Sequence, residues 1–257
     1  MNKFTILGCG SSLGSPWITN YSANLKKNSK NIRTRCCAHI QKSNLSVLID
    51  TSPDIKSQFL SNKIRSLDAI IYTHEHADHT SGLDDIRPYF FRQGDIPNYG
   101  TQRVVENLNH RFGYILNTQN KYPGAPTVKV QIISKNNNFS IGNQIVTPVE
   151  VMHNSLSVMG YRIGGFSYLT DVKYINADQM EKVKNSEVLV LNALRIESHP
   201  THLNLKEALD LVEEPLVRFP PRGMYAHFGC FPVGICRIWH IGGHFCEAVS
   251  YTQQTLP

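Results

Sequence analysis

The stretch Ile70-Ile-Tyr-Thr-His74-Glu-His76-Ala-Asp78-His79-Thr-Ser-Gly82 decides the fold. The apolar run from Leu67 to Tyr72, broken only by Asp68, reads as a short buried strand. Three imidazoles and a carboxylate therefore begin where a strand ends, on a loop expected to turn into a helix near Ser81-Gly82. At a strand mouth, residues two apart can converge once the chain turns. Neutral imidazole and carboxylate suit zinc, and also manganese or iron. One cation cannot easily take all four groups from so short a loop. Two can, with His74 and His76 on one and Asp78 and His79 on the other. Paired ions roughly 3.5–4 Å apart suit the hydrolysis of phosphate esters. A solvated, histidine-rich turn is the plain alternative, but it leaves the fixed spacing of the ligands unexplained.

Composition sets the frame. Of 257 residues, 41% are hydrophobic and 18% charged, enough to bury a substantial core in one large α/β domain or two small ones. A formal net charge of +6 favours anionic substrates or nucleic acid, but no Lys/Arg block resembles a nucleic-acid arm. Phe4-Thr-Ile-Leu7 is too short for the apolar core of a signal peptide, and no apolar run is long enough for a membrane span. Cys9, Cys36, Cys37, Cys230, Cys236 and Cys246 form no C-x-x-C pair and no disulfide-like framework. Reduced thiols in the cytoplasm are the expectation.

Taken in order, Phe4–Leu7 reads as a strand leading into the glycine-rich Gly8-Cys-Gly-Ser-Ser-Leu-Gly14. That loop fails as a dinucleotide fingerprint and reads as a tight turn. Asn20 to Asn31 reads as a surface loop. Ala38–Gln41 and Leu45–Asp50 read as paired strands. Asp50 ends the second, where it could orient a neighbouring ligand, although capping of the next helix by Ser52 or Asp54 explains the segment equally well. Helices are expected over 55–62, 101–112, 177–183 and 205–213. Further strands are expected over 128–133, 144–151, 157–163, 166–169 and 188–192. The stretch after Pro88 has little periodic signal, Asp95 to Gly100 reads as a strand end and turn, and Tyr122 to Pro126 as a loop.

His153 stands just past one of these strands and Asp171 just past another, and a carboxylate there could bridge two ions. Alone, His153 would be an ordinary histidine and Asp171 a helix cap. His202, in His199-Pro-Thr-His202, could donate a proton to a leaving group or hold a phosphate oxygen, or Thr201 to Asn204 could simply begin the next helix.

These residues carry a resemblance. The chain resembles the metallo-β-lactamase-fold hydrolases, in the branch that contains the phosphoribosyl 1,2-cyclic phosphate phosphodiesterase of phosphonate breakdown. The likeness runs through Leu7-Gly-Cys-Gly, Arg33-Thr-Arg-Cys36, Leu48-Ile-Asp-Thr-Ser-Pro-Asp54, the histidine cluster with Gly82-Leu-Asp-Asp-Ile-Arg87, Val151-Met-His153, Tyr168-Leu-Thr-Asp171, Asn192-Ala-Leu-Arg195 and His199-Pro-Thr-His202. It implies an α/β (α+β) chain folded as a four-layer αβ/βα sandwich. It also implies two divalent metal ions, zinc or manganese. His74, His76 and His153 would hold one, Asp78 and His79 the other, and Asp171 would bridge. Asp78 and His202 would be catalytic, with His202 also binding substrate. Two departures are Asn154, where relatives usually carry glycine, and the absence of a cysteine cluster that builds a structural zinc site in some relatives.

A third departure concerns a late histidine on a strand, which such enzymes use to complete the second metal. After Glu214 no Lys, Asn or Asp occurs. The expected organisation is a hydrolase domain over 1–214 and an atypical tail over 215–257 that completes or disrupts it, either a divergent or frame-shifted gene end or a lineage-specific tail. Within the tail, Gly223-Met-Tyr-Ala-His227-Phe has strand-like content, so His227 is the candidate ligand, ahead of His240 and His244. The expected activity is phosphodiester hydrolysis of a small cyclic or diester phosphate through a metal-bound hydroxide. The alternatives are a tRNA 3′-processing endonuclease and a degenerate metal-binding protein without catalysis. The expected partner is a small phosphate ester, with nucleic acid the weaker option and no membrane; a homodimer is allowed for.

Overall fold

The structure, a computed structural model, describes residues 2–20, 32–42, 44–116, 128–213 and 225–228. Chain contacts divide these residues into two compact units. One takes the described residues of Met1–Gly8 and Thr34–Ser134, the other those of Cys9–Arg33 and Lys135–Tyr251. The expected hydrolase domain, 1–214, spans both, and of the expected tail only Tyr225–Phe228 is described.

The first unit opens with an antiparallel meander of β1 (Asn2–Gly8), β2 (Cys37–Lys42) and β3 (Leu45–Ile49). Helix α1 (Ile55–Asn62) carries the chain to β4 (Ala69–Ile71), parallel to β3. Lys63 stops α1 in the left-handed region, φ 54°, with its N–H returned to the Leu60 carbonyl. Then come α2 (Ala77–Thr80), a 3-10 turn over Leu83–Ile86 and α3 (Arg87–Gln93). β5 (Pro97–Gly100), α4 (Gln102–Arg111), α5 (Gly113–Leu116) and β6 (Lys129–Ile132) complete a six-stranded sheet in the order β1-β2-β3-β4-β5-β6. Val47, Leu48, Ile49, Ala69, Ile70 and Ile71 are fully buried, which accounts for their unbroken apolar runs in parallel neighbours. Ile55 and Phe59 of α1 and Val104 and Leu108 of α4 join Leu48 and Ile70 in one core.

In the second unit β7 (Phe139–Ile141), β8 (Gln144–His153), β9 (Leu156–Ile163) and β10 (Phe166–Leu169) are antiparallel neighbours. Helix α6 (Ala177–Val183) leads to β11 (Val188–Ala193), and α7 (Leu205–Glu213) precedes β12 (Tyr225–Phe228); β11 and β12 run parallel to β10. The order is β12-β11-β10-β9-β8-β7. Val149, Val151, Leu169, Met180, Leu191 and Val212 lie in its core. The expected α/β class is the one observed, with two mixed sheets and their helices.

Several expectations change in detail. Asp78 and His79 lie on the one-turn helix α2 rather than on a loop, and His153 is the last residue of β8 rather than one past it. Asp95 to Gly100 contributes a full strand, β5, and the stretch after Pro88 contains α3. Asp54 makes no capping bond to α1, and Asn176 rather than Asp171 stands at the start of α6. Asn204 and Glu207 exchange backbone-to-side-chain bonds of 2.8 and 2.9 Å, so α7 begins behind a capping box and His202 lies outside it. Asn154 has an explanation: His153 pairs with Leu156 across a two-residue turn, and Asn154 sits at φ 57°. Asparagine tolerates that region best after glycine, so the departure is conservative. Most of the expected surface loop up to Asn31, the expected loop at Tyr122 to Pro126, His240 and His244 lie outside the described residues.

Candidate metal centre

The ligand loop of the first unit follows β4. His74 and His79 are buried, Asp78 is half-buried and His76 is exposed. What fixes the two buried rings is Asp50, fully buried just past β3 in the left-handed region, φ 64°. Its carboxylate accepts the Thr73 N–H at 2.8 Å, the Thr73 hydroxyl at 2.8 Å and His79 Nδ1 at 2.7 Å. Burial pushes the Asp50 carboxyl above its usual range, opposed by His79 and then Thr73. The Thr73 hydroxyl, having given its proton to Asp50, accepts from His74 Nδ1 at 3.0 Å. Asp50 thus sets both tautomers and makes Nε2 the lone-pair atom of His74 and of His79.

Those nitrogens face other donors. His74 Nε2 lies 3.0 Å from His76 Nδ1, and His79 Nε2 lies 3.3 Å from Asp78 Oδ2. Two ligands at zinc distances on a tetrahedral ion stand about 3.4 Å apart. Both pairs therefore have a spacing that two donors on one ion can adopt. A lone pair held against a carboxylate is an arrangement that a cation relieves.

The loop is also held from α4. Arg111 donates from Nη1 to Thr80 Oγ1 at 2.6 Å and from Nη2 to Ser81 Oγ at 2.9 Å, with its guanidinium 5.1 Å from the centre of the Phe112 ring. Arg103 Nε pairs with Glu75, the residue between the first two histidines, at 2.9 Å.

In the second unit His153 Nδ1 lies 2.8 Å from the Thr201 carbonyl, which can only accept, so here too Nε2 is the lone-pair atom. His153, Asp171 and His202 each bring one ligand atom within 4.8 Å of the other two. Asp171 follows β10 with φ 56° and accepts the Thr170 hydroxyl at 2.7 Å; His202 Nδ1 is 3.6 Å from its other oxygen. The His199 ring lies 5.0 Å from that of His202, and its Nδ1 is 3.2 Å from the Thr201 N–H. Burial, then Arg195, His153 and Lys173, hold His199 below the usual imidazole range. His227 is on β12, in register with Asn192 of β11, as its strand-like surroundings suggested.

The matching family model, described as the beta-lactamase superfamily domain, covers residues 46–227. This chain belongs to the beta-lactamase superfamily. Within it, the chain is a metallo-β-lactamase-fold hydrolase related to the PhnP family. A diphosphatase of that family, known from its crystal structure, is 32% identical with a TM-score of 0.78, over 89% of this chain and 87% of that one. Zn(2+)-bound PqqB from Methylobacterium extorquens shares the fold, with a TM-score of 0.69 at 16% identity over 89% of each chain. A curated relative, an octanoyltransferase of Porphyromonas gingivalis, is 34% identical over 211 residues. That match takes 80% of this chain but only 42% of the relative's length, and its name describes the whole of that longer protein. Among the described residues no helix is long and apolar enough to cross a membrane.

Residue patterns alone left the role of Asp50 open and missed Thr73, Arg111 and the Thr201 carbonyl. Each acts through a partner distant in sequence or through the backbone, so no local spacing reports it.

Proposed function

We propose that this chain is a binuclear metal-dependent phosphodiesterase acting on a small cyclic or diester phosphate. The observation that carries this reading is the common tautomer of His74, His79 and His153. Each uses Nδ1 on a partner and turns Nε2 into a ligand atom. The proposed ligand sets are those the resemblance implies, with His227 completing the second. The β12 strand supports that placement for His227.

Zinc or manganese held by these residues supplies Lewis acidity toward phosphoryl oxygens and lowers the pKa of water toward about 7. Asp78 accepts a proton from the attacking water. His202 gives one to the leaving oxygen, its Nδ1 standing 3.6 Å from the Asp171 carboxylate. Likeness to a PhnP-family diphosphatase supports a small phosphate substrate and makes diphosphate esters a second substrate to assay.

The test is elemental analysis of purified protein together with turnover of bis-p-nitrophenyl phosphate and a diphosphate ester, before and after chelation. Turnover is expected to vanish on chelation and return with zinc or manganese. Protein that stays inert after reloading would sink the reading, and faster cleavage of precursor tRNA than of small diesters would replace it with the nuclease alternative. His227→Ala is expected to lower metal stoichiometry; unchanged stoichiometry and turnover would remove His227 from the site.

A further inference from the structure

Two segments of the resemblance, Arg33-Thr-Arg35-Cys36 and Asp50-Thr-Ser-Pro-Asp54, take no part in the mechanism above through their charged ends, Arg35 and Asp54. They meet in the first unit. Arg35 donates from Nε to Asp54 Oδ2 at 2.7 Å, from Nη2 to Asp54 Oδ1 at 2.6 Å and from its backbone N–H to Oδ2 at 2.9 Å. Two parallel bonds to one carboxylate fix the plane of the guanidinium. The backbone is boxed in as well: Gln58 Nε2 donates to the Arg35 carbonyl at 2.9 Å, and a Cβ on Gly8 would stand 2.0 Å from that oxygen.

The side chain is nevertheless 30% exposed. One edge of the fork is committed to Asp54, and among the described residues Nη1 makes no hydrogen bond. A partly exposed ion pair adds little stability, whereas a guanidinium held in one orientation is a prepared donor for a planar or tetrahedral anion.

Its neighbourhood is the ligand loop. The segment that ends at Asp54 begins at Asp50, which holds His79. Between them the Thr51 N–H donates to the His79 carbonyl at 2.7 Å, and the Gly82 N–H to the Thr51 carbonyl at 2.9 Å. The bond to Asp54, against burial, raises the Arg35 guanidinium above its usual range, and the charge of Asp78 adds the smallest part.

We infer that Arg35 is a phosphate-binding residue, its outer edge donating to a non-bridging oxygen of the substrate, and that Asp54 is its positioning residue. This rests on the phosphodiesterase reading for the identity of the substrate, but not for anion binding itself.

The experiment titrates inorganic phosphate calorimetrically into metal-loaded wild type, Arg35→Ala and Arg35→Lys, with metal content and diester kinetics measured on the same samples. Loss of the fork is expected to weaken phosphate binding and raise KM by about tenfold in Arg35→Ala, with kcat changed less and metal content unchanged. Arg35→Lys keeps the charge without the fork and should fall between the two. Phosphate affinity in Arg35→Ala within twofold of wild type, at equal metal content, would overturn the inference. Should Arg35→Ala fail to fold, an affinity of Arg35→Lys equal to wild type overturns it instead. Wild type that turns over no diester, yet binds phosphate through Arg35, would defeat the functional reading and leave this one standing. Wild type that binds no phosphate would defeat this one.

Discussion

Asp50 closely follows β3 and Asp171 closely follows β10, and each of these strands is antiparallel to one neighbour and parallel to the next. Both aspartates have positive φ, 64° and 56°. Both stand where a sheet passes from its meander into its parallel half. Burial separates them. Asp50 is fully enclosed, with its oxygens on Thr73 and His79, whereas Asp171 is partly exposed and accepts the Thr170 hydroxyl, with His202 Nδ1 3.6 Å from its other oxygen. The enclosed carboxylate can only orient its neighbours; the half-open one is the one proposed as a ligand. One position in the two sheets thus carries two degrees of enclosure.

The largest expected effect tests that division. Asp50→Ala strands the Thr73 N–H, the Thr73 hydroxyl and His79 Nδ1 in a buried site, and should destabilise the metal-free protein by about 3–5 kcal/mol. Asp171→Ala should cost the metal-free protein only about 1 kcal/mol while removing more bound metal than His153→Ala, if it bridges as proposed. Urea unfolding of chelated samples and elemental analysis of loaded ones separate the outcomes. Similar urea midpoints for the two aspartate variants, or full metal occupancy in Asp171→Ala, would break the comparison.

A second difference is in response to acid. His39 of β2 is buried and donates from Nε2 to Ser46 Oγ at 2.7 Å, whose own proton goes to the Ser66 carbonyl. Burial, then the charge of Lys3, lowers it from 6.5 to about 4. The sign follows from which state binds the proton. Above pH 6.5 both states are neutral and the stability is fully present. As pH falls toward 4, the unfolded chain takes up a proton that the fold refuses, and roughly 3 kcal/mol is lost. Asp54, Glu150 and Glu207, whose carboxyls are held below their usual range, lose their contributions only at lower pH. His39→Gln, which can still bond Ser46, should flatten the stability profile between pH 6.5 and 4. A profile that keeps its slope there would assign the acid sensitivity to other histidines, such as His199 of the second unit.

How much of this was legible in the sequence also divides by locality. Helices α1 and α7 begin and end where their patterns say. The four candidate ligands from His74 to His79 announce themselves because six residues contain them all. Helix α3 was hidden by Pro88, which a first turn accepts, and by Phe91, which is exposed and blurs the apolar stripe beside buried Phe90. Strand β7 is three residues long and too short to alternate visibly. Asp50 was recognisable as a strand-end carboxylate, but its choice between orienting and capping depended on His79, far along the chain. Sequence spacing therefore finds donors more readily than it finds what holds them.

The smallest expected effects concern that holding. In the first unit the ligand loop is fastened by a side chain from α4: Arg111 bonds both Thr80 and Ser81 and lies against Phe112. In the second, the exit of β10 is fastened by backbone, with the Lys173 N–H on the Met152 carbonyl at 2.7 Å and the Leu203 N–H on the Val172 carbonyl at 2.7 Å. The side chain of Lys173 adds a partly exposed pair with Glu207 at 2.7 Å. Arg111→Ala loses its bonds to Thr80 and Ser81, a longer one of 3.4 Å to the Glu75 carbonyl and its contact with Phe112, and should cost about 1–2 kcal/mol and weaken metal affinity through the loosened loop. Lys173→Ala loses only the screened pair and should cost less than about 1 kcal/mol with metal affinity unchanged, because the backbone bonds remain. Arg111→Lys separates fastening from simple charge, since one ammonium cannot span both hydroxyls in the same fork. If Arg111→Ala and Lys173→Ala move stability and zinc affinity alike, the ligand loop of the first unit does not depend on its side-chain clamp, and the contrast between side-chain and backbone fastening fails.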